Sequence, residues 1–144
     1  CFNRRFLSEI ASQWDKGDDC WGAAVLDIDH FKTYNDRYGH QAGDRALVKT
    51  AHFLMRHVRA EDVVCRIGGD EFLVLLPHAD ETLTTSIAQR LKEEARRTAP
   101  VSFSIGWSVR RYSEPLERTI GRADTELITV RVEERRRKRS SDER

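Results

Sequence analysis

Two pairs of carboxylates in this chain are spaced so that each could hold a divalent cation. Asp70 and Glu71 directly follow Gly68 and Gly69, and apolar residues lie on both sides of this segment. Two glycines between β-forming residues predict a hairpin turn, because glycine adopts positive φ without steric cost. Adjacent carboxylates at such a turn repel each other unless a cation lies nearby, and a hard divalent ion is the usual partner. A plain surface hairpin is the alternative interpretation.

The second pair, Asp27 and Asp29, ends an apolar run that starts at Trp21. Side chains of a strand alternate between its faces, so an Asp-x-Asp end places both carboxylates on one face. Metal and nucleotide sites of open α/β sheets tend to lie at such strand ends. Asp29 could instead cap the helix that follows it. Asp27 still belongs to the buried strand, where an ionised carboxylate needs a partner or a metal ion.

Alternating helical and strand patterns position these carboxylates. Apolar residues at helical spacing predict helices at about residues 2–14 (ending at 16–19), 30–37, 43–58, 82–97 and beyond 115. Apolar runs and period-two alternation predict strands at about residues 21–29, 63–67, 71–77 and 101–109. The order of these elements predicts a mixed α+β domain, with a central sheet flanked by helices.

The composition indicates one helix-rich domain. The chain has 144 residues, with 39% hydrophobic residues, 34% charged residues and a net charge of +1. We therefore expect one core and no nucleic-acid binding by the domain as a whole. The three cysteines are odd in number and lack CxxC spacing, which favours a reducing compartment. We recognise no transmembrane run or secretory signal and expect a cytoplasmic domain, linked to a membrane only through an upstream region.

Ordered matches along nearly the whole chain resemble the GGDEF family, the diguanylate cyclases. The matching segments, which include Gly-Gly-Asp-Glu-Phe itself, lie at residues 3–6, 26–32, 35–36, 38–40, 43–44, 68–72, 104–106 and 122–124. The first half of the family's N-terminal motif is missing. We therefore expect residues 1–144 to be the catalytic domain, trimmed at its N-terminus, with the sensory or dimerising region upstream of it.

The resemblance implies both a fold and a reaction. The family joins two GTP molecules into cyclic di-GMP and releases two pyrophosphates, on a mostly antiparallel five-stranded sheet like that of nucleotidyl cyclases and the polymerase palm. By resemblance, Asp27 and Asp70 bind Mg²⁺ (or Mn²⁺), with Glu71 beside them and the backbone carbonyl of Ile28 contributing. Two metal ions would neutralise the α-phosphate and activate the 3′-hydroxyl. Asp70 or Glu71 could accept the hydroxyl proton.

The resemblance also implies contacts to the nucleotide. Backbone N–H groups at the start of the second helix would cradle phosphates, and Lys32 would add a catalytic point charge. Asn35 and Asp44 would read guanine through amide and carboxylate hydrogen bonds. Surface positions for Lys32 and Asn35, and a helix-dipole role for Asp44, are the alternatives. Family members that accept ATP depart from Asp at position 44, so its presence favours GTP. The implied substrate-binding residues up to the hairpin are Phe31, Lys32, Asn35, Asp44, Gly68 and Gly69.

A regulatory motif precedes the hairpin. Arg59-Ala60-Glu61-Asp62 matches the family's RxxD inhibitory motif, with five residues between it and Gly68. By resemblance, Arg59 binds a guanine edge and phosphate of the product, Asp62 binds guanine N–H groups, and Arg90 adds a second arginine. Bound dimeric product would hold two domains apart and stop turnover. A surface ion pair of little energetic value is the alternative.

The last predicted helix departs from the family pattern. Arg131 stands where the family has a lysine that contacts the GTP phosphates, and Arg135 where it has an arginine with the same role. Charge is kept, but lysine and arginine differ in reach and geometry. A glycine that usually stops this helix is missing, so the helix is expected to continue. The basic run 135–139 could contact phosphates or an anionic membrane, although a solvated helix end is the simpler interpretation.

We predict an active diguanylate cyclase that works as a homodimer, because each domain holds one GTP and two must face each other. The alternative is a catalytically silent module that binds GTP or cyclic di-GMP and regulates an attached domain. Such modules usually lose an acidic residue that this chain keeps. A palm-like domain acting on nucleic acid is a third interpretation, and the near-neutral charge argues against it.

Overall fold

The computed structural model describes residues 4–14 and 20–142. These residues form helices and strands in the order that the sequence patterns predict. The elements are α1 (Arg4–Trp14), β1 (Trp21–Ile28), α2 (Phe31–Tyr38), α3 (His40–His57), β2 (Val63–Arg66), β3 (Glu71–Pro77), α4 (Glu81–Thr98), β4 (Phe103–Val109) and α5 (Leu116–Asp142). The start of the first predicted helix, residue 3 of the matching motif and the predicted helix end at 16–19 lie outside the described residues.

The strands form one antiparallel sheet in the order β2-β3-β1-β4. β1 lies between β3 and β4, and Asp27 of β1 lies opposite Glu71 of β3. The prediction of five strands was wrong for the described part of the chain, where the sheet has four. The described connections between elements are short, and the longest, 110–115, turns at Ser113 with φ of 54°. No described segment is therefore left to pair with a sheet edge.

The sheet is covered by helices on both faces. Side chains of β1 and β3 alternate between two buried clusters, which explains why these strands read as continuous apolar runs. α3 and α4 pack against one face, through residues such as Phe53 and Leu91. α5 packs against the other face through Leu116, Ala123 and Leu127. Asp27 has the same strand parity as Ala23 and therefore belongs to the α5 face. Asp29 contacts the same arginine of α5 as Asp27 does, in agreement with the predicted common face.

A glycine sets the close approach of α5 to the sheet. A Cβ atom on Gly106 of β4 would overlap the backbone of Ala123 and Leu127, so the helix lies directly on the strand. Gly106 belongs to one of the segments that match the family, and this contact explains why a residue without a side chain is needed there. The predicted continuation of the helix is confirmed, because α5 runs on through the basic segment 135–139, whose side chains are exposed.

No helix within residues 4–14 and 20–142 combines the length and apolar character needed to cross a membrane. The longest, α5, carries mostly charged residues over its last third.

Candidate active site

The turn between β2 and β3 brings Asp70 and Glu71 to the end of β1. The backbone N–H of Ile28 donates a hydrogen bond to the carbonyl of Asp70, with an N–O distance of 3.1 Å. Asp27, one residue earlier, lies opposite Glu71 in the β1–β3 ladder. The two acidic segments, which are far apart in sequence, are therefore neighbours at one end of the sheet.

Arg66 fixes this turn, a role that the sequence analysis missed. Its Nε donates to the carbonyl of Gly68 at 3.1 Å and its Nη2 to that of Gly69 at 2.8 Å. Neither glycine has positive φ, so the backbone reason given for the turn was wrong. A Cβ atom on Gly69 would meet no described atom within 4 Å, so this part of the backbone is open to solvent. The sequence signal for this role was an arginine, with its five N–H donors, just before the two glycines of the turn.

Asp27 is held in an environment that disfavours a lone negative charge. Its side chain is 17% exposed. Burial above all, followed by the nearby Asp70 carboxyl, raises the pKa of Asp27 from 3.8 to about 7, although Arg131 acts in the opposite direction. Its Oδ1 atom is buried and has no hydrogen-bond partner among the described residues. A carboxyl group in this setting favours either a proton or a cation close to it.

The donor set around Asp27 fits Mg²⁺ or Mn²⁺. The carboxylates of Asp27, Asp70 and Glu71 and the carbonyl of Ile28 are hard oxygen donors, which both ions prefer. Within the described residues, no three carboxylate, imidazole or thiolate side chains converge closely enough to hold a metal ion unaided. Mg²⁺ commonly uses one or two carboxylates and completes its shell with water and substrate phosphates. The residues present therefore fit an ion that arrives together with a nucleotide.

The start of α2 lies two residues after β1 and offers N–H groups to an anion. His30 precedes the helix in the left-handed region, with φ of 54°, and makes no side-chain cap. The first N–H groups of α2 therefore lack an intrahelical partner, as at any helix start. Lys32 is exposed in this first turn, whereas Phe31 packs partly against the core. Phe31 and Lys32 follow the last residue of β1, Ile28, closely in the chain.

Asn35 and Asp44 are brought together at the junction of α2 and α3. Gly39, with φ of 92°, ends α2 and begins α3, so the two helices turn sharply against each other. A Cβ atom on Gly43 would overlap the side-chain oxygen of Asn35, which is buried without a described hydrogen-bond partner. Asp44 follows Gly43 and is exposed. The unpaired amide oxygen of Asn35 and the exposed carboxylate of Asp44 therefore lie close together, one on each helix.

The RxxD motif forms a closed ion pair. Nε and Nη2 of Arg59 lie 3.0 and 2.8 Å from Oδ1 of Asp62, and the backbone N–H of Arg59 donates to Oδ2 at 2.7 Å. The Asp62 side chain has 0% exposure, whereas that of Arg59 is 24% exposed. Nη2 of Arg59 also donates to the carbonyl of Pro77 at 2.8 Å. Asp62 thus orients Arg59. In this conformation the Asp62 side chain has no exposed surface that a ligand could contact.

Arg90 of α4 lies close to the same place. Its Nη2 donates to the carbonyl of His57 at 2.7 Å, two residues before Arg59. The two arginines predicted to bind product therefore border one surface, between the end of α3 and α4. Arg90 is exposed there, so its guanidinium has donors left for an anion.

The two arginines predicted to contact triphosphate differ in their surroundings. Arg131 of α5 reaches the end of β1, where its Nη1 lies 3.1 Å from Oδ2 of Asp27. Arg135, one turn later, is exposed. Ser104, buried on β4, donates to Oδ1 of Asp29 at 2.7 Å and so fixes the second carboxylate of the Asp-x-Asp pair. The role of Ser104 was also missed from the sequence, because the contact spans 75 residues.

Another matching residue, Arg122, lies in a separate buried network. Its Nε and Nη2 bind the two carboxylate oxygens of Glu114 at 3.0 and 2.6 Å, and Nη2 also donates to the carbonyl of Val109. The latter contact is at the end of β4 opposite Ser104, which lies near the acidic site. Arg122 therefore stabilises the entry into α5 and does not belong to the candidate site.

The antiparallel sheet between helical layers, with paired carboxylates where β1 ends and the β2–β3 hairpin turns, defines the class of nucleotidyl-cyclase-like domains. A sequence model described as diguanylate cyclase, GGDEF domain, matches residues 1–137. The chain therefore belongs to the GGDEF domain family.

Named relatives agree with this assignment. Diguanylate cyclase DosC of Escherichia coli (strain K12) is 34% identical over 149 residues, covering 94% of this chain and 32% of DosC. The chain thus spans about a third of the length of the curated relatives it matches. Diguanylate cyclase SiaD of Pseudomonas aeruginosa, solved with its activator SiaC, has a TM-score of 0.84 at 31% identity, over 91% of this chain and 55% of that chain. The GGDEF domain of DgcB from Caulobacter crescentus, solved with c-di-GMP, has a TM-score of 0.78 at 26% identity, over 90% and 82%.

Proposed function

We propose that this domain is a diguanylate cyclase, which condenses two GTP molecules into cyclic di-GMP and releases two pyrophosphates. The observation that supports this most is the meeting of the two acidic segments, Asp27 at the end of β1 and Asp70-Glu71 at the hairpin. Membership of the GGDEF family supports the same reaction.

Each residue of the site has a role in this proposal. Asp27, Asp70 and the carbonyl of Ile28 would hold Mg²⁺, with Glu71 beside them. When bound, the metal supplies charge neutralisation at the α-phosphate and lowers the pKa of the attacking 3′-hydroxyl. Asp70 or Glu71 would accept the hydroxyl proton. The free N–H groups at the start of α2, with the charge of Lys32, would hold the phosphates in place.

Guanine recognition would rest on the two polar groups at the α2–α3 junction. The Asp44 carboxylate would accept hydrogen bonds from the N1–H and the 2-amino group of guanine, and Asn35 would pair through its amide. Adenine lacks both of these donors, so ATP would leave the Asp44 carboxylate without a partner. A site built to hydrogen-bond a substrate rejects an analogue that cannot do so. We therefore propose GTP as the nucleotide.

The reaction requires two domains. One domain binds one GTP, and each 3′-hydroxyl must attack the α-phosphate of the other nucleotide. We therefore propose a homodimer in which two acidic sites face each other, at least during turnover. This chain covers only 32% of DosC, and we propose that a further region of a longer protein would bring two such domains together.

Product inhibition would use the surface between α3 and α4. Arg59, held by Asp62, and Arg90 would bind the phosphates and guanine edges of cyclic di-GMP, and their positions beside the end of α3 support this role. The buried position of Asp62 supports a positioning role for it, unless the ion pair opens to receive guanine. Binding there would keep the acidic sites of two domains apart.

A direct test is incubation of concentrated protein with GTP and Mg²⁺, followed by chromatographic separation of the products. Asp70→Asn removes a proposed metal ligand, and Asp124→Asn removes the same charge from an exposed position of α5. We expect cyclic di-GMP from the wild type and Asp124→Asn, and none from Asp70→Asn. Equal product from Asp70→Asn would refute the site. Absence of product from a wild-type domain fused to a dimerising coiled coil would refute the reaction.

A silent binding module is the second candidate, and one observation favours it. The guanidinium of Arg131 contacts two oxygen atoms that the metal would need, Oδ2 of Asp27 and the carbonyl of Ile28. A silent module would bind GTP or cyclic di-GMP, as measured by calorimetry, while the coiled-coil fusion makes no product. Turnover by that fusion would remove this candidate.

A further inference from the structure

The guanidinium of Arg131 lies among four oxygen atoms at the end of β1. Its Nη1 is 3.1 Å from Oδ2 of Asp27. Its Nη2 donates to the carbonyl of Asp27 at 3.2 Å and to Oδ1 of Asp29 at 3.2 Å, and lies 3.5 Å from the carbonyl of Ile28. Two carboxylates and two carbonyls therefore surround one positive charge.

Two of these oxygen donors are also the proposed metal ligands. The carboxylate of Asp27 and the carbonyl of Ile28 would have to direct lone pairs at Mg²⁺, and both now face a guanidinium. A metal ion and an arginine compete for the same lone pairs, and their positive charges repel each other at short range. Arg131 and a metal ion bound to these atoms therefore exclude each other.

The position of Arg131 is built into the fold. α5 lies directly on Gly106, and Arg131 is one turn beyond Leu127, which makes that contact. Ser104 holds Oδ1 of Asp29 in place for Nη2. The planar fork of arginine binds several fixed acceptors at once, whereas a lysine ammonium acts as a single compact charge. The arginine at this position, where the family has lysine, thus suits a cage of oxygens.

We propose that Arg131 is a stand-in cation, which occupies the metal-binding oxygens of the free domain and leaves them when metal and nucleotide enter together. The inference rests on the metal site of the proposed function. A metal ion alone must displace Arg131 without offering it a new partner. A metal–triphosphate complex offers phosphate oxygens in exchange, so metal and nucleotide binding are positively coupled.

The test measures Mn²⁺ binding without nucleotide, by electron paramagnetic resonance of the free ion. Arg131→Met removes the stand-in charge. Arg136→Met removes an equal charge from an exposed position of the same helix and is the matched control. A double variant, Arg131→Met with Asp27→Asn, reports whether any gain arises at this site. Circular dichroism checks that each variant is folded.

We expect Arg131→Met to bind Mn²⁺ at least tenfold more tightly than the wild type, Arg136→Met to stay within twofold, and the double variant to lose the gain. If Arg131→Met does not fold, Arg131→Lys decides, with an expected gain of at least threefold. A variant affinity within twofold of the wild type, or a gain that survives Asp27→Asn, would overturn the inference. Product formation by the wild type in that case would leave the cyclase proposal intact. If Arg131→Met shows the expected gain in Mn²⁺ affinity but neither the wild type nor any variant forms cyclic di-GMP, the cyclase proposal is overturned and the inference about Arg131 stands.

Discussion

The buried Glu114–Arg122 pair predicts a measurable loss of stability in acid. The Glu114 side chain is 7% exposed, and Arg122 binds both of its carboxylate oxygens. The hydrogen bonds from Arg122 first, with further donors from Thr119 and Arg111, lower the pKa of Glu114 from 4.5 to about 2, against the effect of burial. A folded-state pKa below the unfolded one adds stability that is present above pH 4.5 and is lost as the pH falls towards 2.

The magnitude follows from the difference between these two pKa values. At about 1.4 kcal/mol per pKa unit, the lowered pKa corresponds to about 3 kcal/mol at neutral pH. About 2 kcal/mol of this is lost between pH 7 and pH 3, because the unfolded carboxylate is then largely protonated. Glu114→Gln removes this titration. We therefore expect its free energy of unfolding to fall less between pH 7 and pH 3 than that of the wild type, by about 2 kcal/mol.

Urea denaturation at several pH values, followed by circular dichroism, measures this difference. Glu117→Gln is the matched control, because it removes an exposed carboxylate from the first turn of α5. Its pH dependence should follow that of the wild type more closely. Parallel pH profiles for the wild type and Glu114→Gln would refute the reasoning, whatever the loss at neutral pH.

Three further substitutions test other parts of the structure. Gly43→Ala should displace Asn35 and weaken GTP binding by about tenfold in calorimetry, with ATP little affected; unchanged GTP binding would contradict a guanine-reading role. Gly106→Ala should lower the free energy of unfolding in urea by about 1–3 kcal/mol, because α5 must move off the strand, and a neutral result would mean that the helix shifts freely. Asp62→Asn should weaken cyclic di-GMP binding by about tenfold by releasing Arg59, and calorimetry showing full affinity would remove its positioning role.

Much of the fold and the common face of Asp27 and Asp29 could be predicted from the sequence because they depend on local signals. Helical periodicity and apolar runs predicted the elements, and the parity of Asp27 and Asp29 predicted their common face. The family resemblance then linked the two acidic segments. Their pairing through Asp27 and Glu71 is a consequence of strand register, which the continuous apolar runs left undetermined.

The parts that could not be predicted depend on contacts between distant residues. Arg131 contacts Asp27 across 104 residues of sequence. This contact depends on the orientation of α5 about its own axis where the helix packs on the sheet. The burial of Asp62 depends on the close pairing with Arg59 rather than on residue type. The number of strands was taken from the family rather than from the chain, which is why it differed from the described sheet.

The contact of α5 with Gly106 also fixes the direction in which each side chain of the helix points around the helix axis. An inserted residue between Leu127 and Arg131 would turn the later part of the helix by about 100° and point position 131 away from Asp27. Insertion of a full turn would restore the direction but move the guanidinium about 6 Å along the axis. The four-residue interval between Leu127 and Arg131 therefore sets both the direction and the height of the guanidinium relative to Asp27. The helix beyond Arg131 can change length without altering that position.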